Sequence, residues 1–328
     1  MNYKEITVAN VNDMVDGEMK KITVEENVDI LLIRTNGTYN ALGAYCSHYG
    51  ASLDEGLICG DHVCCPWHHA CFNIESGTCT EPPALNDLPR YEVKVKDNDV
   101  ILYLPEKPSQ SLEPSMVTQD LGRDKRMFVI VGGGAAGDSA AQSLRQVGYS
   151  GRIIMITREK WAPYDRTNLS KSYLQGTGKK EWLPLHSKNF YRENNIELMF
   201  SSEVTDIDSK NQEITIADGK CVKYDRILVA TGGKPRQLNI SGSGTDKVFT
   251  LRSFDDAELI IKAADQVSNI IVIGASFIGL ETAFSFTKRD KKVTVVGLEN
   301  VPFEYVLGKE IGNMIKAVHE QKGVQFKL

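Results

Sequence analysis

Apolar residues along this chain gather in short runs, and two of those runs open the same pattern. Met127-Phe128-Val129-Ile130-Val131 is an unbroken apolar stretch, which predicts a strand buried on both faces. It leads directly into Gly132-Gly133-Gly134-Ala135-Ala136-Gly137, followed by a predicted helix over about 135–147 and a second strand over Arg152–Ile156. The order recurs downstream. Asn269–Ile273 predicts a strand, Gly274-Ala275-Ser276-Phe277-Ile278-Gly279 a turn, 278–289 a helix, and Lys292–Val296 another strand. Strands alternating with helices predict α/β units with parallel sheets. Between the first of these units and the residues before it, Pro105, Pro108, Ser109, Ser111, Pro114 and Ser115 predict a linker over 105–124. No run of eighteen apolar residues occurs, so no membrane-spanning helix is expected.

Each glycine has a physical job in such a turn. Gly132 permits the sharp bend, Gly134 lets the backbone approach a pyrophosphate, and Gly137 allows close packing of the helix, whose N-terminus then faces the phosphates. Glu159, just past the second strand, stands where a carboxylate can hold a ribose hydroxyl. In the downstream copy Gly274 and Gly279 keep their places, while Ser276 replaces the middle glycine and is expected to push a pyrophosphate slightly outward. Two dinucleotide folds imply two nucleotides.

The first third of the chain carries different chemistry. Cys46-Ser47-His48 and Cys65-Pro66-Trp67-His68 each offer one thiolate and one imidazole, with sixteen residues between His48 and Cys65. A [2Fe-2S] centre with two sulfur ligands on one iron and two nitrogen ligands on the other needs such mixed pairs. A tetrahedral zinc site is the rival reading, although zinc fingers usually pair like with like and Pro66 favours a turn over a recognition helix. Residues 1–104 resemble a Rieske domain, which implies a small antiparallel β fold with Cys46, His48, Cys65 and His68 as ligands. The positions matching the extra disulfide of high-potential Rieske proteins are Ala51 and Trp67, and the run His69-Ala70-Cys71-Phe72 after His68 contains no serine. Fewer donors to the sulfurs imply a low potential for the class, about −150 mV. Cys59, Cys64, Cys71 and Cys79 read as packing or loop thiols.

Pro163-Tyr164-Asp165-Arg166, Leu169-Ser170-Lys171 and Ala230-Thr231-Gly232-Gly233-Lys234-Pro235-Arg236 are similar to flavin-contact segments of the pyridine nucleotide reductase superfamily. Leu251-Arg252-Ser253 and Ile278-Gly279-Leu280-Glu281 extend the likeness to its ferredoxin-reductase-like and apoptosis-inducing-factor-like members. The resemblance implies FAD on the first glycine motif and NAD(P)H on the second. It implies that Lys171 lies near the flavin N5 and pairs with Glu281, that Arg166 and Arg236 contact the flavin or its diphosphate, and that the backbone at Val204 reads adenine. The plain alternatives are a surface lysine, a solvated glutamate, surface arginines and a strand valine. The acid expected for the NAD ribose is replaced by Gly297, so Glu299 is the substitute.

The fold class expected is multidomain: an all-β Rieske domain (1–104), a linker (105–124), then α/β Rossmann-like domains of glutathione-reductase type for FAD (125–250, first part) and NAD(P) (251–328, incomplete). The sequence ends where the resemblance implies more sheet, so an open edge, an apolar face and poor flavin retention are expected. Of 328 residues, 41% are hydrophobic and 25% charged, and a net charge of −5 disfavours nucleic acid as a partner. Six of the seven cysteines lie between Cys46 and Cys79, and none falls between Cys79 and Cys221, so the flavin domain has no local dithiol exit. The expected route is NAD(P)H to FAD to cluster to an unknown acceptor. Alternatives are a Rieske carrier with a non-functional flavoprotein segment, or a non-catalytic cell-death signalling protein. An oxygenase is disfavoured because His186 and His319, the histidines beyond the first domain, read with His62 as surface residues. No targeting segment is evident, which suggests the cytoplasm, with mitochondria as the alternative by resemblance.

Overall fold

The computed structural model describes residues 2–109 and 111–328. They divide into two compact units between Ser115 and Met116. The first unit is all β, with β1 (Tyr3–Asn10), β2 (Glu18–Glu25), β3 (Val28–Thr35), β4 (Thr38–Gly43), β5 (Leu57–Cys59), β6 (His62–Cys64), β7 (Cys71–Asn73), β8 (Cys79–Glu81), β9 (Arg90–Lys96) and β10 (Asp99–Pro105). Six strands make an antiparallel sheet in the order β1-β10-β9-β4-β3-β2, and the short strands make a second sheet, β5-β6-β7-β8. Strand β3 joins two cores through its alternating side chains. Ile30 and Leu32 pack with Val100 and Leu102, whereas Leu31 and Ile33 pack with Leu53, Phe72, Cys46 and Cys65. The second of those cores fixes the loops that carry the candidate ligands.

The second unit contains β11 (Met127–Val131), α1 (Ala135–Gln146), β12 (Arg152–Ile156), α2 (Ser172–Gln175), α3 (Phe190–Glu193), β13 (Ile196–Met199), β14 (Val204–Asp208), β15 (Glu213–Ile216), β16 (Cys221–Lys223), β17 (Arg226–Val229), α4 (Phe254–Ala264), β18 (Asn269–Ile273), α5 (Phe277–Thr287), β19 (Lys292–Val296), α6 (Glu304–Gln321) and β20 (Val324–Lys327). Its sheets are β13-β12-β11-β17 and β18-β19-β20, both parallel, and the antiparallel meander β14-β15-β16. The unbroken apolar run at 127–131 follows from burial on both faces. Val129 and Val131 meet the meander through Ile214, Ile216 and Val222, while Ile130 packs with Ala141 of α1, Phe190 and Tyr191. All four strands expected in the repeated pattern have the bounds read from the sequence. The helices are slightly shorter: α1 stops at Gln146, and α5 runs from Phe277 to Thr287 before Asp290 turns left-handed at φ 57°.

The linker segment is bonded to each unit on its own side. Leu112 bridges to Asp87 and the Tyr91 hydroxyl donates to the Ser109 carbonyl. Past the division, Met116 packs beside α1 and the Val117 amide donates to the Arg145 carbonyl. The expected boundary at 250/251 lies in the irregular stretch between β17 and α4, inside one compact unit. Ile271 and Ile273 of β18 and Tyr305, Met314 and Val318 of α6 are exposed.

His186 is not a surface residue. Its side chain is only 5% exposed, its Nε2 lies 3.0 Å from Asp138 Oδ2, and its ring stacks on Phe190. Asp138 in the first turn of α1 also accepts from the Tyr191 hydroxyl at 2.6 Å. Burial and this carboxylate raise the Tyr191 hydroxyl pKa. Sequence could not show this, because the three residues meet only through tertiary packing. Removing Asp138 leaves the buried Tyr191 hydroxyl and the His186 ring nitrogen without their partner, which costs about 1–3 kcal/mol for an unsatisfied buried group. Asp138→Ala should lower the denaturant midpoint of the second unit accordingly, and an unchanged midpoint would refute that weight. His62 and His319 are intermediate in exposure, near Asp61 and the Ile315 carbonyl respectively.

Candidate metal and dinucleotide sites

The two ligand loops of the first unit are built alike. In the loop after β4, the Cys46 amide donates to the Ala51 carbonyl and the Gly50 amide donates back to the Cys46 carbonyl; in the β6–β7 loop, Cys65 and Ala70, then His69 and Cys65, make the same two bonds. Both loops turn at the same point through the left-handed region, Gly50 with φ 74° and His69 with φ 62°. This geometry brings all four candidate ligands together. Cys46 and Cys65 are 3% and 2% exposed and their thiols touch. The rings of His48 and His68 lie 5.0 Å apart, and His48 Nδ1 is shielded from solvent. Cys65 packs into the core, while its neighbour Cys64 at the end of β6 faces Cys71.

Such a set sorts into a sulfur pair and a nitrogen pair, as a two-iron centre requires. Among the described residues no three Cys, His, Asp or Glu side chains gather as a site for one ion. Burial pushes the Cys46 thiol up to about 11, while the backbone amides of His48 and Tyr49 donate toward its sulfur and pull the other way. Those amide donors were missed by a reading limited to side chains.

In the second unit the two glycine turns are near copies. A Cβ on Gly137 would sit 2.0 Å from the Gly132 carbonyl oxygen, and one on Gly279 would sit 2.0 Å from that of Gly274, so in both turns only glycine lets the helix seat. Gly132 (φ 130°) and Gly274 (φ 111°) make the bend. Gly134 and Ser276 are the N-caps of α1 and α5 with nearly the same extended backbone, φ −98° and −109°. Serine therefore fits without distorting the second turn. Gly134 opens on free space, its nearest neighbour being Arg166 Nε at 4.0 Å from an added Cβ. A helix N-terminus, a bare glycine and a guanidinium form a cradle suited to a dinucleotide diphosphate.

Glu159 is already engaged. Its Oε1 lies 2.6 Å from Arg166 Nη2, and its Oε2 accepts from the Tyr164 hydroxyl at 2.7 Å. That hydroxyl in turn accepts from Arg166 Nη1 at 3.0 Å and from the Phe254 amide at 2.8 Å, tying the cradle to α4. Burial first, then Glu159, raises the Tyr164 pKa. Lys171 and Glu281 form the expected pair at 2.9 Å. The Ser170 hydroxyl, which sequence reasoning assigned no role, donates to the same carboxylate oxygen at 2.6 Å. Val204 begins β14 opposite Ile216. Arg236 and Glu299 are not brought to the others by any hydrogen bond or ion pair among the described residues; Arg236 is exposed on the stretch after β17 and Glu299 is half-buried after β19.

Fold and sites together define an iron-sulfur domain followed by a scaffold for two dinucleotides. Residues 4–92 match the Rieske [2Fe-2S] domain, and residues 126–328 match the pyridine nucleotide-disulphide oxidoreductase family. The chain belongs to that oxidoreductase family and carries a Rieske domain ahead of it. It is 35% identical to apoptosis-inducing factor 3 of Mus musculus over 328 residues, covering 98% of this chain and 53% of that protein. It is 36% identical to the ferredoxin–NAD(+) reductase subunit of the benzene 1,2-dioxygenase system of Pseudomonas putida, over 61% of this chain and 48% of that protein. Among solved structures, the covalent putidaredoxin reductase–putidaredoxin complex matches with a TM-score of 0.59 and 33% identity, over 62% of this chain and 49% of that one. The chain thus spans about half the length of the curated relatives it matches. No helix among the described residues is long and apolar enough to cross a membrane.

Proposed function

We propose that this protein passes electrons from NAD(P)H through FAD to a Rieske [2Fe-2S] cluster and on to an electron-carrier acceptor. The observation that carries the reading is the presence, in one chain, of paired buried sulfurs beside paired imidazoles and of two equivalent dinucleotide turns. Relatives named as ferredoxin–NAD(+) and rubredoxin–NAD(+) reductases support it, as does the absence of any cysteine between Cys79 and Cys221. When bound, FAD supplies the conversion of a two-electron donor into the one-electron steps that a cluster can accept.

The residues then divide the work. Cys46, His48, Cys65 and His68 hold the irons. Gly132, Gly134 and Gly137 with Arg166 hold the FAD diphosphate, Glu159 takes its ribose, the backbone at Val204 meets adenine, and Arg236 contacts the flavin or its diphosphate. Gly274, Ser276 and Gly279 take the nicotinamide diphosphate and Glu299 its ribose. Lys171 holds positive charge at the flavin, oriented by Glu281 and Ser170. The compartment is a reducing one, cytoplasmic or, by likeness to apoptosis-inducing factor 3, mitochondrial. A second reading, a Rieske carrier whose flavoprotein segment does not turn over, draws on the exposed Ile271 and Ile273.

Anaerobic mixing of NADH with the chain reconstituted with FAD, iron and sulfide separates the two. The expected result is bleaching of the flavin bands followed by the cluster bands. If dithionite bleaches the cluster and NADH does not, the second reading replaces the first.

A further inference from the structure

We propose that Cys64 and Cys71 form a reversible disulfide at the neck of the second ligand loop. Cys64 ends β6, Cys71 begins β7, and the two are direct register partners across the antiparallel pair with Sγ atoms 2.9 Å apart. Direct partners in such a pair have Cα atoms about 4.5–5.5 Å apart, within the span of a disulfide. Only the loop 65–70, with Cys65 and His68, lies between them. Both thiols are partly accessible, and the exposed Cys59 sits beside Cys64 as a solvent-facing thiol. Neither cysteine occupies the Ala51 or Trp67 positions discussed above, so the bond joins the two ends of one loop and does not link the two loops.

The oxidant is a low-molecular-weight disulfide such as oxidised glutathione. One cysteine thiolate attacks one sulfur of that disulfide and expels a glutathione thiolate, leaving a mixed disulfide. The second cysteine thiolate attacks the protein sulfur of the mixed disulfide and expels the second glutathione. Two cysteine thiols become one disulfide, one oxidised glutathione becomes two reduced ones, and the cysteine protons end on the glutathione sulfurs. The new bond limits how far the loop ends can part, so on the cluster reading above it slows the escape of iron.

The full chain carrying its cluster is treated with oxidised glutathione, alkylated under denaturing conditions and cut with chymotrypsin, which cleaves after Trp67 and separates the two cysteines. The expected product is a pair of disulfide-linked peptides containing Cys64 and Cys71, released by dithiothreitol. Cys71→Ser should abolish the link and keep the cluster spectrum. Recovery of Cys64 and Cys71 singly alkylated, or of Cys64 linked to Cys59, overturns the proposal. In a second arm, cluster bleaching by an iron chelator should be several-fold slower in the oxidised protein than in the reduced one. An unchanged rate with the link present removes the clamp and leaves the thiol site. Failure to bind iron at all counts against the cluster reading, and the peptide map still decides the disulfide.

Discussion

Cys65→Ala is expected to strip the protein of its visible absorption bands and cut iron and sulfide per chain by at least about tenfold, beyond what loss of a supporting contact alone costs. Cys65 is 2% exposed and packs with Cys46 in the same core. Cys64→Ala should keep the colour, because the Cys64 thiol faces Cys71. The pair of variants, read by absorption and by iron, sulfide and zinc counts, tests ligand identity and metal identity together. A colourless parent protein holding one zinc per chain would sink the assignment, whatever the variants did.

Lys171→Ala should slow flavin reduction by NADH about a hundredfold, the low end of what removing one preorganised charge donor costs. The lower figure follows from exposure: the Lys171 side chain is 47% exposed and the Glu281 side chain 29%, so water screens part of the interaction. Glu281→Gln should slow the step less, since Lys171 also donates to the Thr167 carbonyl at 3.2 Å and keeps part of its orientation. Lys171→Arg should recover some rate by restoring charge. Stopped-flow absorbance under anaerobic conditions measures each. If alanine at 171 reduces as fast as the parent, the pair merely fastens the segment after Arg166 to α5.

Much of the fold was legible because its strands are buried on both faces, which writes unbroken apolar runs into the sequence at 127–131 and 152–156. The candidate ligands stood out because mixed Cys and His pairs on turns have few other uses. What stayed hidden depends on register between distant segments. Tyr164 joins Glu159, Arg166 and the Phe254 amide across ninety residues, and nothing local marks it. Arg145, fully buried, donates to the carbonyls of Tyr149, Gly151, Asn194 and Asn195; in sequence it looks like an ordinary helical arginine. The Pro- and Ser-rich stretch holds the division between the two units, but composition does not report the surfaces beside it, on which Leu112 and Val117 are bonded.

The left-handed residue shared by the twin loops separates them energetically. Glycine reaches that conformation at no steric cost, whereas a side chain there costs roughly 1–2 kcal/mol. His69 at φ 62° therefore leaves the second loop spring-loaded where Gly50 leaves the first relaxed. The hairpin tip bearing Cys65 and His68 therefore stores backbone strain that its twin does not.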